Sequence, residues 1–183
     1  MTKAELRQRV LEVRKKMSAE EHRLLSKLIF DKVISLPEFK VGKTLFIYIA
    51  YSNEAETKSL IEYALSAGKT VCVPCVREEG EMVAVAVKNL SELKKNRYGI
   101  SEPADETNVV DKDAVDVAIV PGVVFDKKLN RLGFGKGYYD NFLRNTRCAK
   151  IALAFDFQIQ DAVPSDEHDV KMDVIVTPSQ IIR

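Results

Sequence analysis

Residues 44–74 read TLFIYIAYSNEAETKSLIEYALSAGKTVCVP, and this stretch decides the fold. TLFIYIA, residues 44–50, is short, apolar and rich in β-branched and aromatic side chains, the pattern of a strand buried on both faces. The polar loop YSNEAET follows. Thr57 can cap KSLIEYALSA, whose apolar positions recur at helical spacing until Gly68 stops them, and TVCVP reads as a second strand. The three pieces form a β-α-β unit, which implies parallel strands.

The same alternation extends in both directions. Upstream, Thr2 with Glu5 reads as a capping box for a helix carrying Leu6, Val10, Val13 and Met17, and Ser18 with Glu21 opens a second helix that Pro37 should end. Downstream, MVAVAV, AVDVAIVPG, KIALAF and DVIVTP read as strands, with a helix from about Tyr138 to Arg144. The expected architecture is a single three-layer α/β/α domain over residues 1–183, built on a largely parallel central sheet. Such sheets place ligands at the carboxyl ends of their strands. YSNEAET and DKKLNRLGFGKGYYD each follow a strand and can open onto the same edge.

Composition narrows the function. The chain has 28 basic and 27 acidic residues, so a net charge of +1 provides no overall field for a polyanion such as duplex nucleic acid. No apolar run approaches the roughly 18 residues that span a bilayer, and MTKAELRQRV lacks the core of a secretory signal, so a cytoplasmic protein is expected. Cys72, Cys75 and Cys148 are then expected as free thiols. The C-x-x-C spacing of Cys72 and Cys75 falls at a strand end followed by REEGEM, where packing explains it better than redox chemistry.

The strongest chemical signal is RLGFGKGYYD, residues 131–140. Gly133, Gly135 and Gly137 alternate beside Arg131 and Lys136, which suits either a cradle for phosphate or an ordinary surface loop. It is neither a Walker loop nor a clean dinucleotide fingerprint, because the gap, the hydroxyl after lysine and the third-glycine spacing are all missing. A strand running through glycines into a helix favours an anion site. Asp140 either complements the dipole of that helix or holds magnesium, with Asp173 as a possible second carboxylate. The acidic run DEHDVKMD reads as a solvated loop, and His168 within it as a surface residue.

Lys3 and Arg7 lie one helical turn apart and could share an anion or simply line a solvated face. Tyr98 could stack on a flat ring or anchor its own turn. Glu54 is either an exposed acid or an acceptor for an N–H-rich heterocycle.

The run PGVVFDKKLNRLGFGKGYYD, together with MSAEE, YSNEAET and MDVIVTP in the same order, resembles the signature of the 5-formyltetrahydrofolate cyclo-ligases. That resemblance implies an ATP- and Mg2+-dependent enzyme that makes 5,10-methenyltetrahydrofolate and acts as a monomer on small molecules, without nucleic acid or membrane. It implies ATP contacts at Lys3, Arg7, Arg131, Leu132, Gly133, Phe134, Gly135, Lys136, Gly137 and Tyr138, with Arg131 and Lys136 catalytic. Folate would meet Glu54, Tyr98 and Tyr139, and magnesium would meet Asp140 and Asp173. One departure stands out: Leu129 replaces a glycine common in the family, and because leucine resists positive φ, residues 127–130 are expected to turn differently.

Overall fold

The computed structural model describes residues 1–183. Helices α1 (Lys3–Lys15), α2 (Ala19–Ser35) and α3 (Pro37–Val41) precede β1 (Thr44–Ile47), α4 (Lys58–Ser66), β2 (Thr70–Val76) and β3 (Met82–Val87). A small hairpin follows, β4 (Leu93–Lys95) and β5 (Ser101–Pro103), and then β6 (Val109–Val110) and β7 (Val117–Val120). The last part holds β8 (Val124–Asp126), β9 (Arg131–Leu132), α5 (Tyr138–Leu143), β10 (Ala149–Leu153), β11 (Ile159–Gln160), β12 (Val174–Val176) and β13 (Ile181–Ile182).

The main sheet has eight strands in the order β13-β12-β10-β7-β1-β2-β3-β6. The run from β12 to β2 is parallel, whereas β13 at one edge and β3 and β6 at the other are antiparallel. Alternation along the strands builds both faces. Val117 and Ile119 of β7 point into a core with Ile29, Val33, Leu60 and Ile61 of α2 and α4. Ala118 and Val120 point the other way, into a core with Phe142 and Leu143 of α5. This second face is lined by Ala84, Ala118 and Ala152, small enough for α5 to approach, and Phe46 stacks on Phe142 with centroids 4.5 Å apart. The result is the expected three-layer α/β arrangement.

Helix α1 belongs to neither face. Leu6 and Val10 pack on Val124 and Leu132 of the three-stranded sheet β11-β8-β9 and on Val123 and Val163 beside it, beyond the carboxyl end of β7. This seats α1 above the carboxyl edge, where β1 and β7 end.

Several local expectations need correction. β1 ends at Ile47; the Tyr48 N–H still reaches Ile119 O at 3.4 Å, and the chain turns only at Ser52, where φ is 54°. Thr57 precedes α4 but does not cap it: its hydroxyl donates to Tyr48 O at 2.7 Å and accepts from Ala50 N–H at 3.1 Å. The Glu56 carboxylate accepts the helix's first amides instead, those of Lys58 and Ser59. Leu129 does adopt the left-handed conformation, with φ 67°. Asp126 holds that turn, its carboxylate accepting N–H bonds from Lys128, Asn130 and Val163 at 2.9–3.0 Å, while Leu129 packs on the second core. No helix is long and apolar enough to cross a membrane, and the three cysteines are free.

Candidate functional site

The loops after β1 and β7 meet at the carboxyl edge of the sheet. Pro121 O accepts a hydrogen bond from the Arg131 guanidinium at 3.2 Å, and the same side chain reaches Asp140 Oδ2 at 3.0 Å. Arg131 is buried and lies 5.6 Å from the centre of the Tyr139 ring. Its charge is therefore used inside the protein, in organising the turn into α5, and not presented at the surface.

The glycine loop itself is shaped by a cation from α1. Arg7 Nε donates to Gly133 O at 2.7 Å. A Cβ at residue 133 would stand 2.8 Å from the Arg131 Nη1 atom, and Gly135 takes φ 96°, so the alternation of glycines is set by close approach and by backbone. Lys136 is exposed, and Phe134 at the loop's tip is half-exposed. Leu132 is a core residue packed under α1, while Tyr138 and Tyr139 pack against the second core. Helix α5 has only six residues, Tyr138–Leu143, begun at Gly137 with φ 71°; its dipole is a small contribution beside the side-chain cations.

Lys3 does not point freely at this loop. Its ammonium pairs with Asp166 at 2.8 Å and Asp169 at 2.7 Å, so two acids of the expected solvated run fasten α1. Burial raises the Asp169 carboxyl, but its bonds to Lys3 and to the Asp166 amide outweigh that and hold it below the usual range. His168 is on the surface as expected, beside Glu167 at 3.5 Å.

Across the edge, Glu54 is buried. Its Oε2 accepts the Tyr51 N–H at 2.9 Å, and its carbonyl lies 2.7 Å from His22 Nε2. Burial pushes its carboxyl above the ordinary range, against the Tyr51 amide and the charge of Arg14. The Tyr139 hydroxyl is likewise raised by burial and by the charge of Glu54. Tyr98 stands 64% exposed at the tip of the β4–β5 hairpin. The Tyr51 hydroxyl donates to Tyr98 O at 3.4 Å, so Tyr51 links the hairpin tip to Glu54.

The two candidate metal ligands are not brought together. Asp140 accepts the Val170 N–H at 3.0 Å through one oxygen and Arg131 through the other. Asp173 precedes β12, at the amino end of the parallel strands, where its Oδ2 accepts the Lys150 N–H at 2.7 Å. No group of three metal-ligating side chains exists anywhere in the chain.

Two residues of the site carried no single-residue signal. Tyr51 matters through its amide and hydroxyl, which only the tertiary structure places. Arg14 follows Arg7 by two helical turns, so the spacing of Lys3, Arg7 and Arg14 along one face of α1 could have revealed it.

Residues 1–178 match the model of the 5-formyltetrahydrofolate cyclo-ligase family. A probable 5-formyltetrahydrofolate cyclo-ligase of Schizosaccharomyces pombe is 34% identical over 85% of this chain and 84% of its own length. The 5-formyltetrahydrofolate cyclo-ligase of Mus musculus is 33% identical over 95% of this chain and 90% of its own. The NMR structure of Aquifex aeolicus 5,10-methenyltetrahydrofolate synthetase superposes with a TM-score of 0.89 at 37% identity, covering 100% of this chain and 93% of that one. The chain is an enzyme and belongs to the 5-formyltetrahydrofolate cyclo-ligase family.

Proposed function

We propose that this enzyme converts 5-formyltetrahydrofolate to 5,10-methenyltetrahydrofolate, using ATP with Mg2+ and releasing ADP and phosphate. The observation that carries the reading is the meeting of two unlike subsites at one sheet edge. One is a glycine loop attended by Arg7 and Lys136; the other is a buried acid, Glu54, beside Tyr51 and Tyr98.

The chemistry needs two such neighbours and no protein nucleophile. The formyl oxygen attacks the terminal phosphorus of ATP, and ADP leaves. The adjacent folate nitrogen then adds to the activated carbon, and the formyl oxygen departs within inorganic phosphate, leaving the methenyl bridge. Catalysis rests on alignment and on neutralising charge along the transferring group. In this chain Lys136 is the exposed cation suited to that task. Arg131 supports it by fixing Asp140 and the loop's exit. Glu54 accepts hydrogen bonds from the folate ring, and Tyr98 covers the ring's face.

Magnesium commonly uses one carboxylate, with phosphate and water completing its shell. Asp140 fits that role, since a carboxylate offers about four lone-pair positions and two hydrogen bonds leave room. The ion would offset phosphate charge when bound. Asp173 is not part of this proposal. The purified protein should give methenyl absorbance from 5-formyltetrahydrofolate only when ATP and magnesium are both present; product without nucleotide, or none with it, refutes the scheme.

A further inference from the structure

The cation least explained by the fold is Arg14. It is only 5% exposed, and its side chain makes no ion pair or hydrogen bond within the protein, although the charge of Glu54 is near. Nearby charge comes from Glu54, and the Phe134 ring lies 5.6 Å from its guanidinium carbon. The Arg14 carbonyl is tied to Asn53 Nδ2 at 3.2 Å, which holds the end of α1 against the Glu54 loop. None of its nitrogens is sealed from solvent, so the side chain is buried along its stem while its donors stay uncommitted at a surface opening, a placement that points to a partner arriving from outside.

The stripe on α1 indicates which partner. Lys3, Arg7 and Arg14 lie on one face of the helix, spread over about 16 Å at 1.5 Å per residue. Lys3 is neutralised by Asp166 and Asp169, and Arg7 is bonded to the glycine loop at Gly133. Arg14 comes last along the stripe, between the loop's tip at Phe134 and the acid at Glu54. A group lying between a phosphate cradle and a folate pocket is the group passed from one to the other.

Resting on the function proposed above, we propose that Arg14 binds the terminal phosphoryl group of ATP, the one transferred, at the boundary of the two subsites. Its donor fork matches phosphate oxygens, and the formamide that attacks that phosphorus would approach from the Glu54 side.

The test is a ratio of affinities in Arg14→Met, measured by calorimetry with a non-hydrolysable ATP analogue and with ADP, each with magnesium. The expected result is a loss of triphosphate affinity on the order of tenfold to a hundredfold, with ADP and folate affinities held within about threefold. The thermal midpoint without ligand should stay level, because the substitution removes no ion pair or hydrogen bond and methionine keeps the apolar stem. Equal losses for ATP analogue and ADP, a loss confined to folate, or no loss would each overturn the assignment. So would a lowered midpoint, since it would reveal a structural partner. If Arg14→Met does not fold, Arg14→Gln decides by the same ratio, an unchanged ratio refuting the proposal. A parent protein that binds neither nucleotide removes the reading beneath the proposal and the proposal with it; parent binding with an unchanged variant ratio removes Arg14 alone.

Discussion

At the amino end of the parallel strands, Asp116 accepts the amides of Lys43 and Thr44, both at 2.8 Å, and Asp173 accepts that of Lys150 at 2.7 Å. At the carboxyl end, Arg7 bonds the glycine loop, while Arg14 and Lys136 make no ion pair. The amino edge uses charge to close its own backbone; the carboxyl edge does so too, through Arg7 and Arg131, and in addition keeps Arg14 and Lys136 out of any ion pair. The amides at a strand's start must be satisfied wherever chain enters the sheet, and a short aspartate, an acceptor, does this locally. A ligand-binding edge requires the opposite condition, donors held in place and left unpaired.

The sharpest way to break this contrast is Lys136→Ala. Removing an exposed cation with no protein partner should leave the thermal midpoint unchanged, while kcat/KM falls on the order of 10²- to 10³-fold. A steady-state assay beside a melting curve separates the two effects. Unchanged turnover would make the carboxyl edge as self-contained as the amino one.

Asp140→Asn should come next and should cost both properties, because Asp140 sits where the two uses of charge meet. Loss of the carboxylate leaves buried Arg131 without its charged partner, a destabilisation of about 2–3 kcal/mol. Turnover should drop about 100-fold, with a higher magnesium concentration needed for half-activation. Denaturant unfolding and a magnesium titration measure these independently; destabilisation with an unmoved titration would assign Asp140 to structure alone.

These contrasts also show what the sequence could and could not reveal. The β-α-β unit at residues 44–74 was legible because buried parallel strands and an amphipathic helix leave distinct periodicities. RLGFGKGYYD was legible because glycine alternation beside cations has few uses. Asp173 was ambiguous, because an acid opening a strand reads the same whether it faces a ligand or, as here, the neighbouring strand's amide. Leu129 misled for a related reason: its backbone cost is offset by Asp126, whose four contacts come from residues as distant as Val163. Arg14 was invisible as a single residue, since its isolation is a property of what surrounds it.

Tyr98→Ala tests the folate side of the carboxyl edge. A stacking aromatic is worth roughly 0.5–1.5 kcal/mol beyond its area, so KM for folate should rise several-fold while ATP affinity holds. Initial rates at varied concentrations of each substrate make the check. The reverse pattern would move Tyr98 to the nucleotide, and the Tyr51 bridge would then join the two subsites instead of building one.

Asp173→Asn should have the smallest effect. Asparagine keeps an acceptor for the Lys150 amide and loses only the pairing with the Lys150 ammonium at 3.7 Å, half-exposed and therefore weak. Stability should fall by at most about 1 kcal/mol, with turnover and the magnesium titration both unmoved. Asp116 supplies the matching control, because its carboxyl is held below the ordinary value of 3.8 by the Thr44 and Lys43 amides. Its contribution is therefore complete above that value and is lost as pH falls through the folded one, so Asp116→Asn should flatten part of the acid limb of stability without touching catalysis. If Asp173→Asn shifts the magnesium titration while Asp116→Asn does not, the amino edge is not uniform, and Asp173 reaches the metal through a conformation in which its bond to Lys150 is broken.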